Sequence, residues 1–374
     1  MRFPLHITTD MVSLQLRKAA RGETRYPFVL MLEPLYTCNL ACIGCSTERH
    51  TGKLADRLPV EACLRAVEDC GAPSVSICGG EPTLFPELKA LIDGIIVRKR
   101  HIYLCTNGLL LDTKVFGQIP PARRLTINVH LDGMRETHDR VCARAGVFDK
   151  AVEMIREAKR LGYHVMTNTT VFKTTPVEEI EALCAFVAGL GVDGLLISPG
   201  YHYESVREDI FLSRAEVQKK FRRVLELSRT YPLNSTPMFL EFAAGMRDYD
   251  CSPWSTVTFT PLGWKGPCYL IGEKFTQDWN EFWTTTNWAY WESRKDERCQ
   301  NCAMHSGFEA SAVRGLRKSP KDLLRMAAWN FLNVNVTGDA GDPAPRRADG
   351  EDRDDFNDAK NGNNGTSARP GASP

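Results

Sequence analysis

The sequence predicts an α/β fold built on a parallel β-sheet, and three observations lead to this class. Six apolar, β-branched or aromatic runs, each closed by Gly, Pro or Asn, follow one another between residues 28 and 200. Helical patterns lie between most of these runs, and alternation of strand and helix indicates parallel strands. The runs are nearly continuous in apolar residues, which is typical of strands covered on both faces. Such strands could form an open doubly wound sheet or a partial barrel.

The predicted strands read FVLMLEP, SVSICGG, HIYLCTNG, LTINVHLDG, YHVMTNTTVF and DGLLISPG, at 28–34, 74–80, 101–108, 125–133, 163–172 and 193–200. Clear helical patterns lie at 60–70, 148–162 and 176–191, and the last two end on a glycine, as a helix C-cap does. In both candidate folds the functional groups gather at the carboxyl ends of the strands. A cysteine loop, GGEP, CTNG and HLDG follow the first four strands, which places the expected site at that edge.

Composition divides the chain into four parts. Residues 1–24 contain a short amphipathic helix, expected as a lid on the end of the barrel, with a membrane-surface anchor as the alternative. Residues 25–200 form the expected barrel core. Residues 201–334 form an appended substrate-binding and capping segment that is rich in aromatic residues and cysteines. Residues 335–374 are polar and too poor in apolar side chains to offset the entropy of ordering, which predicts a disordered tail.

Charge and hydropathy exclude some partners. The formal net charge is +1 and there is no basic stripe, so nucleic-acid binding is not expected. No apolar run approaches the roughly 20 residues that span a bilayer, and the N-terminus lacks the layout of a signal peptide. These features predict a cytoplasmic protein. Its thirteen cysteines are then expected to serve in metal binding, redox chemistry or the core rather than in disulfides.

The stretch YTCNLACIGCST places Cys38, Cys42 and Cys45 in one loop after the first predicted strand. A structural zinc site needs four ligands, and no fourth ligand lies nearby in the sequence. An iron–sulfur cube that is held by three cysteines keeps one iron open for a small molecule. The Cys-x3-Cys-x2-Cys spacing therefore predicts an iron–sulfur cluster with an open position.

This spacing, with GGEP one β/α unit later, resembles the radical S-adenosylmethionine (radical SAM) superfamily, whose fold is a partial (β/α)6 TIM-like barrel. The resemblance implies a 4Fe–4S cluster that binds S-adenosylmethionine (SAM). It also implies that one electron cleaves SAM to a 5′-deoxyadenosyl radical, with a reducing partner such as flavodoxin or ferredoxin. The cofactor contacts that it implies are Gly79, Gly80, Glu81, Asn128, His130, Asp132, Asn168 and Ser198.

Two details concern these contacts. Asn128, His130 and Asp132 alternate along the fourth strand, so they are expected to share the face that lines the barrel interior. A self-satisfied polar layer is the alternative. The residue before the third cysteine is often aromatic in the superfamily and packs near the adenine, whereas here it is Gly44, so the adenine contact needs another supplier.

Longer stretches, among them YLCTNGLLLD, NVHLDGMRETHD, GWKGPCYL and CQNCAMHSGFEASAV, resemble the adenosylhopane synthases of hopanoid biosynthesis across residues 25–320. That family joins the 5′-deoxyadenosyl radical to the terminal alkene of the triterpene diploptene. The resemblance implies a lipid substrate, contact with the membrane surface, and a thiol that gives a hydrogen atom to the product radical, for which Cys105 is the candidate. A large hydrocarbon substrate needs an apolar pocket, and the aromatic residues offered as its lining are Tyr201, Tyr203, Phe239, Phe242, Trp254, Trp264 and Tyr269. Ser46 and Thr47 replace a Gly-Lys pair of the family, and Ser306 replaces a cysteine.

A second cysteine set consists of Cys251, Cys268, Cys299 and Cys302. These thiols could bind an auxiliary iron–sulfur cluster or a zinc ion, with His305 as a spare ligand; the alternative is buried free thiols or a redox pair. Two other functions compete with adenosyl transfer. One is a radical SAM enzyme on a peptide or nucleoside that releases free 5′-deoxyadenosine, and the other is a non-catalytic iron–sulfur or zinc scaffold.

Overall fold

A nine-stranded sheet organises the residues that the computed structural model describes, which are 3–45, 52–203, 206 and 208–332. Its strand order is β6-β5-β4-β3-β2-β1-β7-β8-β9. The strands are β1 (Val29–Leu32), β2 (Ser74–Ile77), β3 (His101–Thr106), β4 (Leu125–His130), β5 (His164–Val171), β6 (Gly194–Pro199), β7 (Thr256–Thr260), β8 (Gly263–Pro267) and β9 (Gly272–Thr276).

The first six strands confirm the six predicted from the sequence, and all of them run parallel in chain order. A doubly wound sheet would reverse its strand order at a switch point. No reversal occurs between β1 and β6 in this sheet, so the parallel part has the order of a partial (β/α)6 barrel.

Helices connect the strands and include the three that the sequence patterns predict. The α-helices are α1 (Leu5–Ala20), α2 (Val60–Cys70), α3 (Leu88–Val97), α4 (Leu111–Lys114), α5 (Arg135–Val141), α6 (Val147–Arg160), α7 (Val177–Gly189), α8 (Arg214–Leu227), α9 (Pro237–Ala243), α10 (Trp279–Thr285), α11 (Trp288–Glu292), α12 (His305–Gly315) and α13 (Pro320–Phe331). Short 3-10 turns lie at Leu54–Asp56, Pro82–Leu84, Pro253–Ser255, Glu297–Cys299 and Leu316–Lys318.

The two faces of the parallel strands differ in burial. Leu30, Ile77 and Ile127 are fully buried in the main apolar core, together with helix residues such as Leu91 and Ile155. The alternate positions of the strands, for example Met31, Tyr103, Cys105 and His130, are only half-buried. Because side chains alternate across a strand, this half-buried row is the inner face of the barrel.

Helix α1 covers the amino end of the inner face, in agreement with the lid that the sequence predicts. His6 lies 3.1 Å from His101 at the start of β3, measured from Nε2 to Nδ1. Asp10 pairs with Arg124, just before β4, at 2.8 Å. In the described part of the chain, no helix is long and apolar enough to cross a membrane. The expected site lies at the opposite, carboxyl edge.

The segment after residue 200 continues the same sheet. Strand β7 pairs in parallel with β1, and β8 and β9 extend the sheet in antiparallel order. Four aromatic residues that the sequence offers as lining of an apolar substrate pocket are instead fully buried in the core, which corrects that expectation: Phe239, Phe242, Trp254 and Trp264. Ser46, Thr47 and the predicted tail at 335–374 lie outside the described residues.

Candidate active site

Strand register brings predicted site residues of β3 to β6 onto the inner face. Cys105 of β3 pairs with Asn128 of β4, and His130 of β4 pairs with Asn168 of β5. Ser198 lies on β6, two positions beyond the residue that pairs with Asn168. Paired residues of parallel strands point to the same side of a sheet, so these five side chains share one surface. The predicted inward row of Asn128 and His130 agrees with this register.

The cysteine loop follows β1 and reaches the same edge. Cys38, Cys42 and Cys45 are all half-buried. The N–H of Cys45 donates to the Cys42 carbonyl at 3.1 Å, and the N–H of Ile43 donates to the Val141 carbonyl at 2.9 Å. Burial raises the pKa of the Cys38 thiol to about 12. A thiolate at this position therefore needs a metal cation to stabilise it.

Gly79 and Gly80 pack directly against the segment that precedes the cysteine loop. A Cβ on Gly80 would lie 2.0 Å from the Thr37 carbonyl oxygen, and one on Gly79, whose φ is +99°, would lie 2.4 Å from the Leu35 oxygen. The N–H of Gly80 donates to the Leu35 carbonyl at 2.9 Å. The absence of a Cβ at Gly79 and Gly80 thus lets this turn pack closely against the backbone before the cysteine loop. Their contact with SAM stays a prediction.

Glu81 joins the ends of β2 and β3. Its Oε1 accepts from the Thr83 N–H (3.0 Å) and from the hydroxyls of Thr83 (2.6 Å) and Thr106 (2.7 Å). Its Oε2 accepts from the Asn107 N–H at 2.9 Å. The side chain is buried, and burial raises the pKa of its carboxyl. Glu81 therefore holds two loops together, and its contact with the SAM ammonium stays a prediction.

His130 and Asp132 form a pair at the end of β4. The His130 Nε2 lies 2.6 Å from Asp132 Oδ2, and Asp132 Oδ1 accepts from the Thr170 N–H at 2.6 Å. Burial alone would lower the pKa of His130, but the Asp132 carboxylate outweighs it and raises this pKa to about 9. The Asp132 carboxylate therefore favours the charged imidazolium form of His130. Both Asp132 oxygens are engaged by the protein, so Asp132 orients His130, and its contact with SAM stays a prediction.

Two amide oxygens on the inner face have no hydrogen-bond partner among the described residues: Oδ1 of Asn128 and Oδ1 of Asn168. A buried polar atom without a partner costs free energy, so native proteins rarely leave one without a ligand or water. The Nδ2 of Asn128 donates to the Cys105 sulfur at 3.6 Å. These oxygens fit a ligand with hydroxyl donors, such as a ribose.

An aromatic ring that no motif of the sequence identifies lies at the cysteine loop. A Cβ on Gly44 would lie 2.7 Å from the Phe172 ring. Phe172 follows β5 and packs with Ile210 and Phe211 in a small apolar cluster that also contacts Ile43. The space next to Gly44 is therefore filled by a ring from another strand. No local signal in the cysteine loop identifies Phe172, because the contact depends on the barrel closing.

The second cysteine set comes together in the C-terminal part. All four cysteines line one cavity of about 40 Å³, together with the predicted departure Ser306. Its wall is mainly apolar and includes the predicted pocket residues Tyr201 and Tyr269. Arg294 and Arg298 also border it. His305 does not line this cavity; it is half-buried and its Nδ1 has no partner among the described residues.

Burial also affects these thiols. It raises the pKa of Cys299 to about 11 and of Cys302 to about 12, and neighbouring thiolates of the set add to the increase. Backbone N–H groups near Cys268 and Cys302 act in the opposite sense. No group of three or more Cys, His, Asp or Glu side chains in the described ranges is arranged to hold a single metal ion. In a 4Fe–4S cluster each cysteine binds a different iron, so its thiolates stand farther apart than around one ion.

The comparisons with known proteins agree with this geometry. The family model of the radical SAM superfamily matches residues 32–187, which begin on β1 and contain the cysteine loop and the inner face of β2 to β5. These residues belong to the radical SAM superfamily. A domain of unknown function, DUF3463, matches residues 195–326 of the same chain.

Relatives of the radical SAM chain carry several different functions. A GTP 3′,8-cyclase from Clostridium perfringens is 27% identical over 252 residues, 62% of this chain and 77% of that protein. The mycofactocin maturase MftC of Mycobacterium tuberculosis is 25% identical over 44% of this chain and 43% of its own. The structure of Streptococcus suis SuiB bound to SAM has a TM-score of 0.61 at 17% identity and covers 82% of this chain and 78% of SuiB. This last likeness supports the barrel fold.

The cofactors of a radical SAM enzyme are a 4Fe–4S cluster and SAM, and the residues present fit both. Three thiols in one loop would hold three irons and leave the fourth for SAM. The unpartnered amide oxygens of Asn128 and Asn168 would accept from SAM hydroxyls. The chain is therefore a radical SAM enzyme that cleaves SAM.

Proposed function

We propose that this radical SAM enzyme transfers the 5′-deoxyadenosyl group of SAM to the terminal alkene of a triterpene, with diploptene as the substrate. The position of Cys105 is the main support. Its thiol is half-buried on the inner face of β3, next to Asn128 and on the edge that the cysteine loop reaches. An enzyme that forms an adduct has to quench the radical left on the product, and a thiol is a good hydrogen-atom donor for that step. The longer sequence stretches that resemble adenosylhopane synthases add support.

The proposed reaction balances with two electrons and one proton. A cluster held by Cys38, Cys42 and Cys45 would supply one electron, and this electron would release the adenosyl group of SAM as a radical together with methionine. This group forms a carbon–carbon bond to the terminal CH2 of the alkene, and the resulting tertiary radical takes the hydrogen atom of the Cys105 S–H bond. A second electron and one proton from a flavodoxin-like or ferredoxin-like donor then restore the thiol.

The other residues hold and orient SAM. Cys38, Cys42 and Cys45 would bind the cluster. The His130 imidazolium, fixed by Asp132, offers a positive charge to the SAM carboxylate. Asn168, with Asn128, accepts from the ribose hydroxyls, and Ser198 contributes a hydroxyl from β6. Phe172 takes the adenine contact that Gly44 cannot make, because its ring occupies the space next to that glycine.

The second cysteine set binds its own metal centre in this proposal. Four thiols from separate segments of the chain reach one cavity, and Arg294 and Arg298 beside it would offset the charge of four thiolates. Four ligands close either an iron–sulfur cluster or a zinc site. Iron and zinc analysis of the anaerobically purified full chain separates them. Loss of the second metal from Cys302→Ser, with the cluster at Cys38 retained, would confirm the site; unchanged metal content would contradict it.

The decisive experiment is an anaerobic assay with isotopically labelled SAM, reductant and diploptene, read by mass spectrometry. The expected product is a saturated adenosyl adduct that contains the label. Cys105→Ala should still cleave SAM but should fail to give the saturated product. Cys63→Ala is the matched control, because Cys63 is a fully buried thiol in the core, and it should behave as wild type.

Other outcomes assign other functions. Free 5′-deoxyadenosine without an adduct would contradict the triterpene substrate and favour a peptide or nucleoside. Saturated adduct from Cys105→Ala would remove Cys105 from the mechanism. Absence of any SAM cleavage by the reduced, cluster-loaded protein would favour the scaffold function.

A further inference from the structure

The end of helix α5 is fixed against the cysteine loop. Cys142 caps this helix, is 1% exposed, and packs with Leu40 and Val147 against Cys38 and Cys42. The backbone of the same turn holds the loop, because the Ile43 N–H donates to the carbonyl of the residue before Cys142. A fourth thiol therefore lies in a buried position next to the three that would hold the cluster.

One packing contact and one hydrogen bond place Cys142 between His138 and Cys42. On one side, the small cluster of Leu40, Cys142 and Val147 packs against Cys42. On the other side, His138 Nε2 lies 3.5 Å from the Cys142 sulfur. The His138 Nδ1 accepts the N–H of Asp132 at 3.1 Å, and His138 is 1% exposed.

The hydrogen bond from the Asp132 N–H to His138 determines which atoms donate in the contacts of His138 and Cys142. A ring nitrogen that accepts an N–H carries no proton, so neutral His138 has its hydrogen on Nε2. Burial lowers the pKa of His138 to about 4, which keeps the ring neutral near pH 7. The Nε2–H group then donates to the Cys142 sulfur. The S–H hydrogen of Cys142 is left to point at Cys42.

We infer that Cys142 is a positioning residue for the cluster: its S–H group donates to the Cys42 thiolate, and His138 orients it through Asp132. Hydrogen bonds to cluster sulfurs stabilise the reduced, more negative state and raise the reduction potential. This deepens the proposed function, because the same cluster must deliver an electron to SAM. It does not depend on the identity of the substrate.

The test measures the potential of the cluster in the anaerobically reconstituted full chain, without substrate. The reduced cluster is followed by electron paramagnetic resonance during a redox titration. Cys142→Ala removes the donor, so we expect the equilibrium constant for one-electron reduction to fall about tenfold, equivalent to about 59 mV. His138→Phe should shift the potential in the same direction by a smaller amount. Cys184→Ala, a buried thiol under α7, is the matched control and should leave the potential unchanged.

Each outcome decides the inference. A Cys142→Ala protein that holds the cluster at the wild-type potential overturns it, as does an equal shift in Cys184→Ala. If Cys142→Ala holds no cluster, the His138→Phe protein decides: a lowered potential supports the relay and an unchanged potential refutes it. Because no triterpene enters the measurement, a failed adduct assay and a failed potential shift are separate results.

Discussion

Both ends of the barrel interior contain polar side chains, but the two ends differ in how far the protein itself satisfies the hydrogen bonds of these side chains. At the amino end, hydrogen bonds run without a break from His6 to His101 (3.1 Å), from His101 to Thr126 (3.0 Å) and from Thr126 to His164 (3.1 Å). Helix α1 supplies the first member of this chain. This end is closed and satisfied by the protein alone.

At the carboxyl end, the described residues leave two buried amide oxygens without a partner, on Asn128 and Asn168. Because such atoms cost free energy, the protein gives up some stability here that a ligand can restore. The comparison indicates that one end of the same inner face is built for stability and the other for binding. The comparison also gives predictions that distinguish the stabilising role of the amino end from the binding role of the carboxyl end.

The largest expected effect belongs to the cysteine loop. Cys38→Ala removes one of three thiols that would hold the cluster, so SAM cleavage should fall to background. Free 5′-deoxyadenosine, measured by chromatography after anaerobic reduction, checks this. Cys184→Ala is the control. It removes a thiol that is fully buried in the core, so this variant should cleave SAM as wild type does. Wild-type cleavage by Cys38→Ala would mean that the loop does not hold the cluster.

The next effect belongs to the amino end. His101→Ala leaves His6 and Thr126 without their shared partner and opens a cavity, so the free energy of unfolding should fall by about 3 kcal/mol. Urea denaturation of the full chain measures it. SAM affinity of the folded protein should stay unchanged, because the imidazole lies at the end away from the site. A variant with normal stability and weakened SAM binding would reverse the comparison.

The sequence allowed much of this arrangement to be predicted. The six parallel strands and the cysteine loop followed from apolar runs and from spacing, which are local signals. Placing Asn128 and His130 on one face followed from the alternation of side chains along a strand. The chain order that separates a partial barrel from a doubly wound sheet required strand pairing, which no local pattern encodes.

The remaining features depend on contacts between distant segments. The ring of Phe172 meets Gly44 from a strand more than a hundred residues away in sequence. The oxygens of Glu81 and Asp132 are taken by donors on other strands, such as the N–H groups of Asn107 and Thr170. The sequence shows that a carboxylate is present at a strand end. It cannot show that neighbouring loops already occupy it.

A smaller effect concerns pH at the amino end. Burial, followed by the charge of His6, lowers the pKa of His101 from 6.5 to about 3. In the folded state the His101 imidazole then stays neutral, whereas in the unfolded chain it takes up a proton below pH 6.5. The free energy of unfolding is therefore retained above pH 6.5 and falls as the pH is lowered towards 3. From His101 alone, the loss should approach about 1.4 kcal/mol per pH unit. Urea denaturation of wild type and His101→Phe across this range checks it; parallel slopes would contradict the assignment.

The smallest change in stability is expected at the carboxyl end, and it tests the comparison most directly. Asn168→Ala deletes an oxygen that bonds to no described residue, so the free energy of unfolding should change by less than about 0.5 kcal/mol. The same deletion removes an acceptor for SAM and should weaken SAM binding about tenfold, measured by calorimetry on the anaerobic, cluster-loaded protein. Thr113→Ala on the exposed helix α4 is the control and should change neither quantity. If Asn168→Ala instead destabilised the fold as much as His101→Ala and left SAM affinity intact, the unpartnered oxygen would not be a ligand contact, and both ends of the inner face would be structural.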